Sequence, residues 1–138
     1  MASQPSRPPI TCHVLDTTTG QPAPNMFVLL RLLQIDNRSL HPENGEYYTA
    51  QTNDDGRVTS WERRGDSREL QEVFDSGKDD VGELTWSLTF AAGEYYGREN
   101  TFWPEVEVKF FTGRGRVWEH VHVPLLLGPF GYTTYRGS

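Results

Sequence analysis

The sequence predicts an all-β fold, a sandwich of seven to eight short strands with one short helix. Three observations carry this. Segments of period two recur, clearest in LTWSLTF (84–90) and EVEVKFF (105–111). Turn chemistry separates them, as in TTTGQPAP (17–24) and NDDG (53–56). Helical pattern is confined to a turn at SRELQEVF (67–74) and a short stretch within 91–100.

Taken in order, residues 1–9 hold Pro5, Pro8 and Pro9 and read as a disordered arm before one domain over 10–138. Ile10 to Asp16 alternates as a strand, with Thr11, His13 and Leu15 opposed to Cys12 and Val14. Met26 to Ile35 fits helix or strand by periodicity; its flanking Pro and Asn residues and its brevity favour a buried strand. Residues 36–46 are polar. Tyr47 to Thr52 is a strand, and Asp55-Gly56 closes a tight hairpin that places Arg57 at the head of the strand RVTSW. Residues 62–83 are charged and carry the weakest pattern. Leu84, Trp86, Leu88 and Phe90 share one face of the next strand. Strands at 105–111, 117–127 and 132–136 complete the set. The chain has no internal repeat.

A chain of 138 residues suits a single domain with a real core. Hydrophobic residues make up 36% and aromatics 12%, too many for general disorder. Net charge is −6 with no basic block, which argues against nucleic acid as a partner. The single cysteine, Cys12, rules out an internal disulfide and reads as a small core residue. The N-terminal stretch MASQPSRPPI lacks an apolar signal region, and no run reaches the length of a membrane span. These features lead us to expect an intracellular, non-secreted protein. The C-terminus is not a Ser-Lys-Leu address.

Four histidines carry most of the possible chemistry. His120 and His122 stand two apart on a strand, so their imidazoles share a face. Three readings fit that spacing: an ordinary half-solvated pair, acid/base groups that titrate near neutral pH, or zinc ligands with His13 as a third nitrogen. His41 lies in the polar loop and reads as solvent-facing. Arg57 follows a tight turn that would hold its guanidinium firmly. Arg136 sits beside Tyr135 in the last four residues, after an apolar run, where polar filler is the usual content. Asp54 and Asp55 are turn formers. No nucleophile elbow or phosphate-binding glycine loop occurs.

The stretches CHVLDTTTGQPAPNM, TNDDGRV, FWPEVEVKFF and HVHVPLLLGPFGYTTYRGS together resemble the transthyretin-like 5-hydroxyisourate hydrolases of urate degradation. The resemblance runs from about residue 10 to the end, and the closing Tyr-Arg-Gly-Ser is its most specific part. It implies a transthyretin-like sandwich and hydrolysis of 5-hydroxyisourate to an ureidoimidazoline carboxylate. It further implies catalytic roles for His13, Arg57 and His122, and substrate binding by His120, Tyr135, Arg136, Gly137 and Ser138. No metal or organic cofactor is implied. The family is a homotetramer, a dimer of dimers with sites at the dimer–dimer interface, and PLLLGPF would pack between subunits. Such proteins occur in cytosol and peroxisomes. The alternative is a transthyretin-like protein that binds a small aromatic ligand without turnover; hormone-carrying transthyretins lack this histidine set and tail. Residues 36–46 and 62–83 are longer and more charged than in bacterial members and fall between the motifs.

Overall fold

The computed structural model describes residues 7–41, 45–79, 82–113 and 120–138. Seven strands of three or more residues form the frame: β1 (Ile10–Asp16), β3 (Phe27–Ile35), β5 (Tyr47–Gln51), β8 (Leu84–Phe90), β9 (Val106–Thr112), β10 (Val121–Leu127) and β11 (Tyr132–Thr134). Four two-residue segments join them: β2 (Gln21–Pro22), β4 (Arg38–Ser39), β6 (Arg57–Val58) and β7 (Glu62–Arg63). Among the described residues two helices occur, α1 (Leu70–Asp79) and α2 (Ala92–Tyr96), followed by a 3-10 turn at Arg98–Asn100. Both lie where the sequence shows helical pattern.

The strands build two sheets. One runs β11-β10-β1-β2, with β6 also paired to β1. The other runs β7-β5-β3-β8-β9, with β4 paired to β3. β1 and β10 pair in parallel, with Thr11 beside His122 and His13 beside Pro124. Period-two alternation then sorts the side chains. Cys12, Val14, Val121, Val123, Leu125 and Leu127 turn inward and are buried. Thr11, His13 and His122 turn outward on the same sheet. The facing sheet contributes Val28, Leu30, Tyr48, Trp86, Leu88 and Phe90 to the same core. Each such burial is worth about 1.5–3 kcal/mol. Trp86 Nε1 is partnered within the core, donating to Thr112 Oγ1 at 2.8 Å, whereas the buried Ser87 Oγ has no hydrogen-bond partner among the described residues. Burial pushes the Cys12 thiol up to about 12, against a backbone hydrogen bond from Val58, so it is an inert core group.

Three sequence expectations change here. The Asp-Gly turn does not close a hairpin. Asn53 Oδ1 accepts from the backbone N–H of Asp55 and Arg57, at 2.9 and 3.0 Å, which bends the chain out of β5. β6 then crosses to the other sheet and pairs with β1, setting Arg57 opposite His13. Gly56 makes that crossing possible, since its φ is +73° and a Cβ there would press on the Val14 carbonyl oxygen. Within the expected disordered arm, residues 1–6 lie outside the described residues, but Pro8 and Pro9 are tied down. Pro9 O accepts from Val121 N at 2.8 Å, extending the β10 ladder backwards. Finally, PLLLGPF, expected to pack between subunits, sends part of its length inward: Leu125 and Leu127 fill the core, and Phe130 points outward at 76% exposure. Residues 117–119 of the expected long strand lie outside the described residues.

One buried carboxylate pins the end of β1. Asp16 is 4% exposed. Its Oδ1 accepts from Thr18 N, Thr18 Oγ1 and Tyr96 Oη, and its Oδ2 from Tyr95 Oη, at 2.6–2.9 Å. Burial alone would raise this carboxyl, but the hydrogen bonds from Thr18 and the tyrosines outweigh it and hold it below its ordinary value. The tyrosines answer in kind: burial first, and Asp16 second, push Tyr95 up to about 12 and Tyr96 higher still. This knot joins β1, α2 and, through Tyr96 Oη to Leu127 O at 3.0 Å, the end of β10. Asp16→Ala orphans these donors and is expected to cost about 2–4 kcal/mol in urea unfolding. A midpoint equal to the wild type would overturn that role.

Candidate active site

The register of the β1 sheet collects the site. Thr11 lies beside His122 across the parallel β1–β10 pair, and His13 lies beside Arg57 across the antiparallel β1–β6 pair. Because β1 places Thr11 and His13 on one face, all four groups meet on the outer side of the sheet. The His13 and His122 ring centroids stand 6.5 Å apart, and those of His120 and His122 6.3 Å, the latter stacked. Thr11 Oγ1 lies between the second pair, 2.9 Å from His120 Nε2 and 2.8 Å from His122 Nδ1. His120 Nδ1 donates to Pro8 O at 2.9 Å.

An open cleft of about 560 Å³ lies over this cluster, lined by Arg57, His122, Ser138, Thr11, Ser60 and Arg7 among others. A second, of about 230 Å³, opens beside β9 and is lined by His122 with Tyr135, Arg136, Phe110 and Val108. His122 is the group common to both. The last residues reach it by the backbone: Gly137 N donates to His122 O at 2.9 Å, an isolated bridge beyond β11. A Cβ on Gly137 would stand 2.9 Å from His122 Cδ2 and 2.9 Å from Pro124 Cγ, so only glycine lets the tail lie this close.

All three imidazoles are held below their ordinary value. For His122 burial is the largest cause, followed by the Arg57 guanidinium, His120, His13 and Arg7. For His13 burial again leads and Arg57 adds to it, against the carboxylate and backbone of Asp55. Burial and Arg7 lower His120, against the Pro8 carbonyl. Neutral imidazoles beside fixed guanidinium charges suit a base that takes a proton from water while cations steady developing negative charge.

Of the residues singled out in sequence, the structure unites His13, Arg57, His120, His122, Gly137 and Ser138. Tyr135 and Arg136 lie on the far side of His122, in the smaller cleft, so Arg136 does not stand beside Arg57 within one chain. His41 is exposed in its loop. No group of three or more His, Cys, Asp or Glu that could hold a metal ion occurs among the described residues. Thr11, Arg7 and the Pro8 carbonyl are additions. Thr11 was findable, since it precedes His13 by two on the same strand face. Arg7 and Pro8 fall in a proline-rich stretch that shows no pattern.

The two-sheet fold is that of a transthyretin-type domain, and one of its outer faces carries the histidine–arginine cleft. Residues 10–137 match the model of the HIUase/Transthyretin family, and the chain belongs to that family. It is 38% identical over 137 residues to the "Probable 5-hydroxyisourate hydrolase" of Schizosaccharomyces pombe, covering 98% of this chain and 95% of that protein. To the 5-hydroxyisourate hydrolase of Salmonella dublin it is 33% identical, over 94% of this chain and 80% of that one. The crystal structure of transthyretin from Sparus aurata superposes with a TM-score of 0.65 at 20% identity, covering 95% of this chain and 97% of that one, which shows the shared fold. No helix among the described residues is long and apolar enough to cross a membrane.

Proposed function

We propose that this protein hydrolyses 5-hydroxyisourate. The observation that carries the reading is the convergence of His122, Arg57 and the C-terminal Ser138 on one outward cleft, with His13 beside Arg57 on the same sheet. The relatives named as hydrolases support the choice of substrate.

In this reading, His122 takes a proton from water as the water oxygen attacks a carbonyl carbon of the six-membered ring. The carbonyl π electrons move to oxygen, and Arg57 stabilises the charge there. Collapse breaks the ring C–N bond, and the leaving nitrogen takes up the proton that His122 accepted, directly or relayed through His13, whose ring centroid lies 6.5 Å from that of His122. The product is the ureidoimidazoline carboxylate. Planar guanidinium forks suit a flat, carbonyl-rich heterocycle. No metal or organic cofactor takes part. The protein acts as a homotetramer, a dimer of dimers whose interface carries the sites. Phe102 and Phe130, 72% and 76% exposed, give the single chain apolar surface to cover. Arg136 and Tyr135, displaced from Arg57 within one chain, then serve a site shared between chains. A monomer by sedimentation would contradict this. The compartment is cytosol or peroxisome.

The test is direct. Urate oxidase generates 5-hydroxyisourate, and its decay is followed by ultraviolet absorbance. Acceleration by the purified protein is the expected result; an unchanged spontaneous decay would transfer the chain to the ligand-binding reading.

The pH dependence follows from the site's electrostatics. A neutral base is needed, and burial with Arg57 holds His122 and His13 below the ordinary imidazole value of about 6.5. The acid limb of kcat/KM is therefore expected to have its midpoint below ~6.5, and Arg57→Gln to move that midpoint upward. A wild-type midpoint at or above ~6.5 would remove neutral His122 from the role of base.

A further inference from the structure

We propose that Thr11 is a positioning residue that fixes the His122 tautomer, through a hydrogen-bond chain whose direction is set at the Pro8 carbonyl. The inference rests on the hydrolase reading only for its kinetic consequence.

A carbonyl oxygen can only accept, so His120 Nδ1 carries a proton and donates it to Pro8 O at 2.9 Å. With His120 neutral, its Nε2 is then a bare lone pair. Thr11 Oγ1, 2.9 Å away, fills that position by donating its one proton. Having spent that proton, Thr11 can only accept from its other partner. His122 Nδ1, 2.8 Å away, must therefore be N–H. A neutral His122 protonated on Nδ1 leaves Nε2 as a free lone pair. No hydrogen bond to that Nε2 is seen among the described residues, and the ring lines the cleft with Arg57 and Ser138.

A solvated neutral histidine side chain prefers the opposite tautomer, with the proton on Nε2. In that form His122 would offer the cleft a donor, and could not take a proton from water. Thr11 reverses the preference, and at 7% exposure it is shielded from water that would compete for its hydroxyl. The proline-rich stretch before β1 thus belongs to the site, since in the series Pro8–His120–Thr11–His122 the Pro8 carbonyl is the partner that cannot turn its hydrogen bond around.

The test uses full-length protein labelled with 15N-histidine, read by two-bond 1H–15N correlation well above the imidazole range, with His122→Gln to assign the resonances. Wild type is expected to show His122 protonated on Nδ1 and bare on Nε2. Thr11→Val is expected to shift His122 towards Nε2–H and lower kcat by at least ~10-fold, with KM nearly unchanged. Thr11→Ser, which keeps the hydroxyl, should restore the tautomer and bring kcat within about threefold of wild type. Wild-type His122 found as Nε2–H overturns the proposal, whatever the variants do. So does a Thr11→Val protein with wild-type tautomer and rate. The wild-type spectrum decides the tautomer even if Thr11→Val fails to fold. A protein with His122 on Nδ1–H that leaves 5-hydroxyisourate untouched would sink the hydrolase reading while leaving the tautomer assignment standing.

Discussion

His122→Ala is expected to slow 5-hydroxyisourate turnover by about 10²–10⁴-fold, the range of a lost acid/base group. The fold should survive. His122 stands on the outer face of β10, half-buried, while its strand neighbours Val121 and Val123 carry the packing. Removing the ring frees Thr11 Oγ1 from one partner but leaves its bond to His120. Circular dichroism and urea midpoint should therefore stay close to wild type. A folded variant with undiminished turnover would remove His122 from the chemistry. His13→Ala is the informative companion. His13 shares the face and the Arg57 field, yet makes no hydrogen bond to Thr11, so its loss should leave the His122 tautomer in place.

Much of this arrangement was legible because it depends on period-two patterns. Leu84, Trp86, Leu88 and Phe90 are all fully buried, as their alternation requires. The same rule puts Thr11 with His13, and His120 with His122. Pattern within one strand does not say which strand lies beside it. The parallel β1–β10 pairing joins residues more than a hundred positions apart, and only that register brings Thr11 to His122. The Asp-Gly turn shows the same gap from another side. Local chemistry correctly marks a tight turn at Gly56, but a turn's composition does not tell whether the next strand stays in its sheet. Here the Val14 N–H on β1, donating to Gly56 O at 2.8 Å, holds the strand leaving the turn in place of a hairpin partner.

Asp16 illustrates a different blindness. At the end of a strand, before three threonines, it reads as an ordinary loop carboxylate. Its burial depends on Tyr95 and Tyr96, which arrive from α2 some eighty residues later. A buried charge with converging donors is a property of tertiary packing, and no window of sequence displays it. The arm fails for a third reason. Proline-rich composition signals the absence of helix or ladder donors, yet proline carbonyls remain good acceptors. Pro8 and Pro9 are held through those carbonyls, by His120 and Val121.

Deleting residues 135–138 is expected to reduce turnover by at least ~10²-fold, because the tail packs against His122, the proposed base, and lines the cleft. Its contribution to folding is small. β11 ends at Thr134, whose Oγ1 donates to Pro124 O at 2.8 Å, so the cut spares the strand's own anchors. Tyr135 is 56% exposed and adds little to the core. The main loss is the Gly137 N–H bond to His122 O, worth about 0.5–1.5 kcal/mol. What leaves with the tail is the wall of His122: Gly137 against its Cδ2 side, Ser138 in the larger cleft and Arg136 in the smaller. Gly137→Ala tests the same contact more finely, since a methyl 2.9 Å from His122 Cδ2 and Pro124 Cγ must push the tail or the ring aside. Its activity should fall with the urea midpoint nearly unmoved. Full turnover by the shortened protein would restrict these residues to assembly, and the sedimentation behaviour of the same sample would show whether the tetramer depends on them.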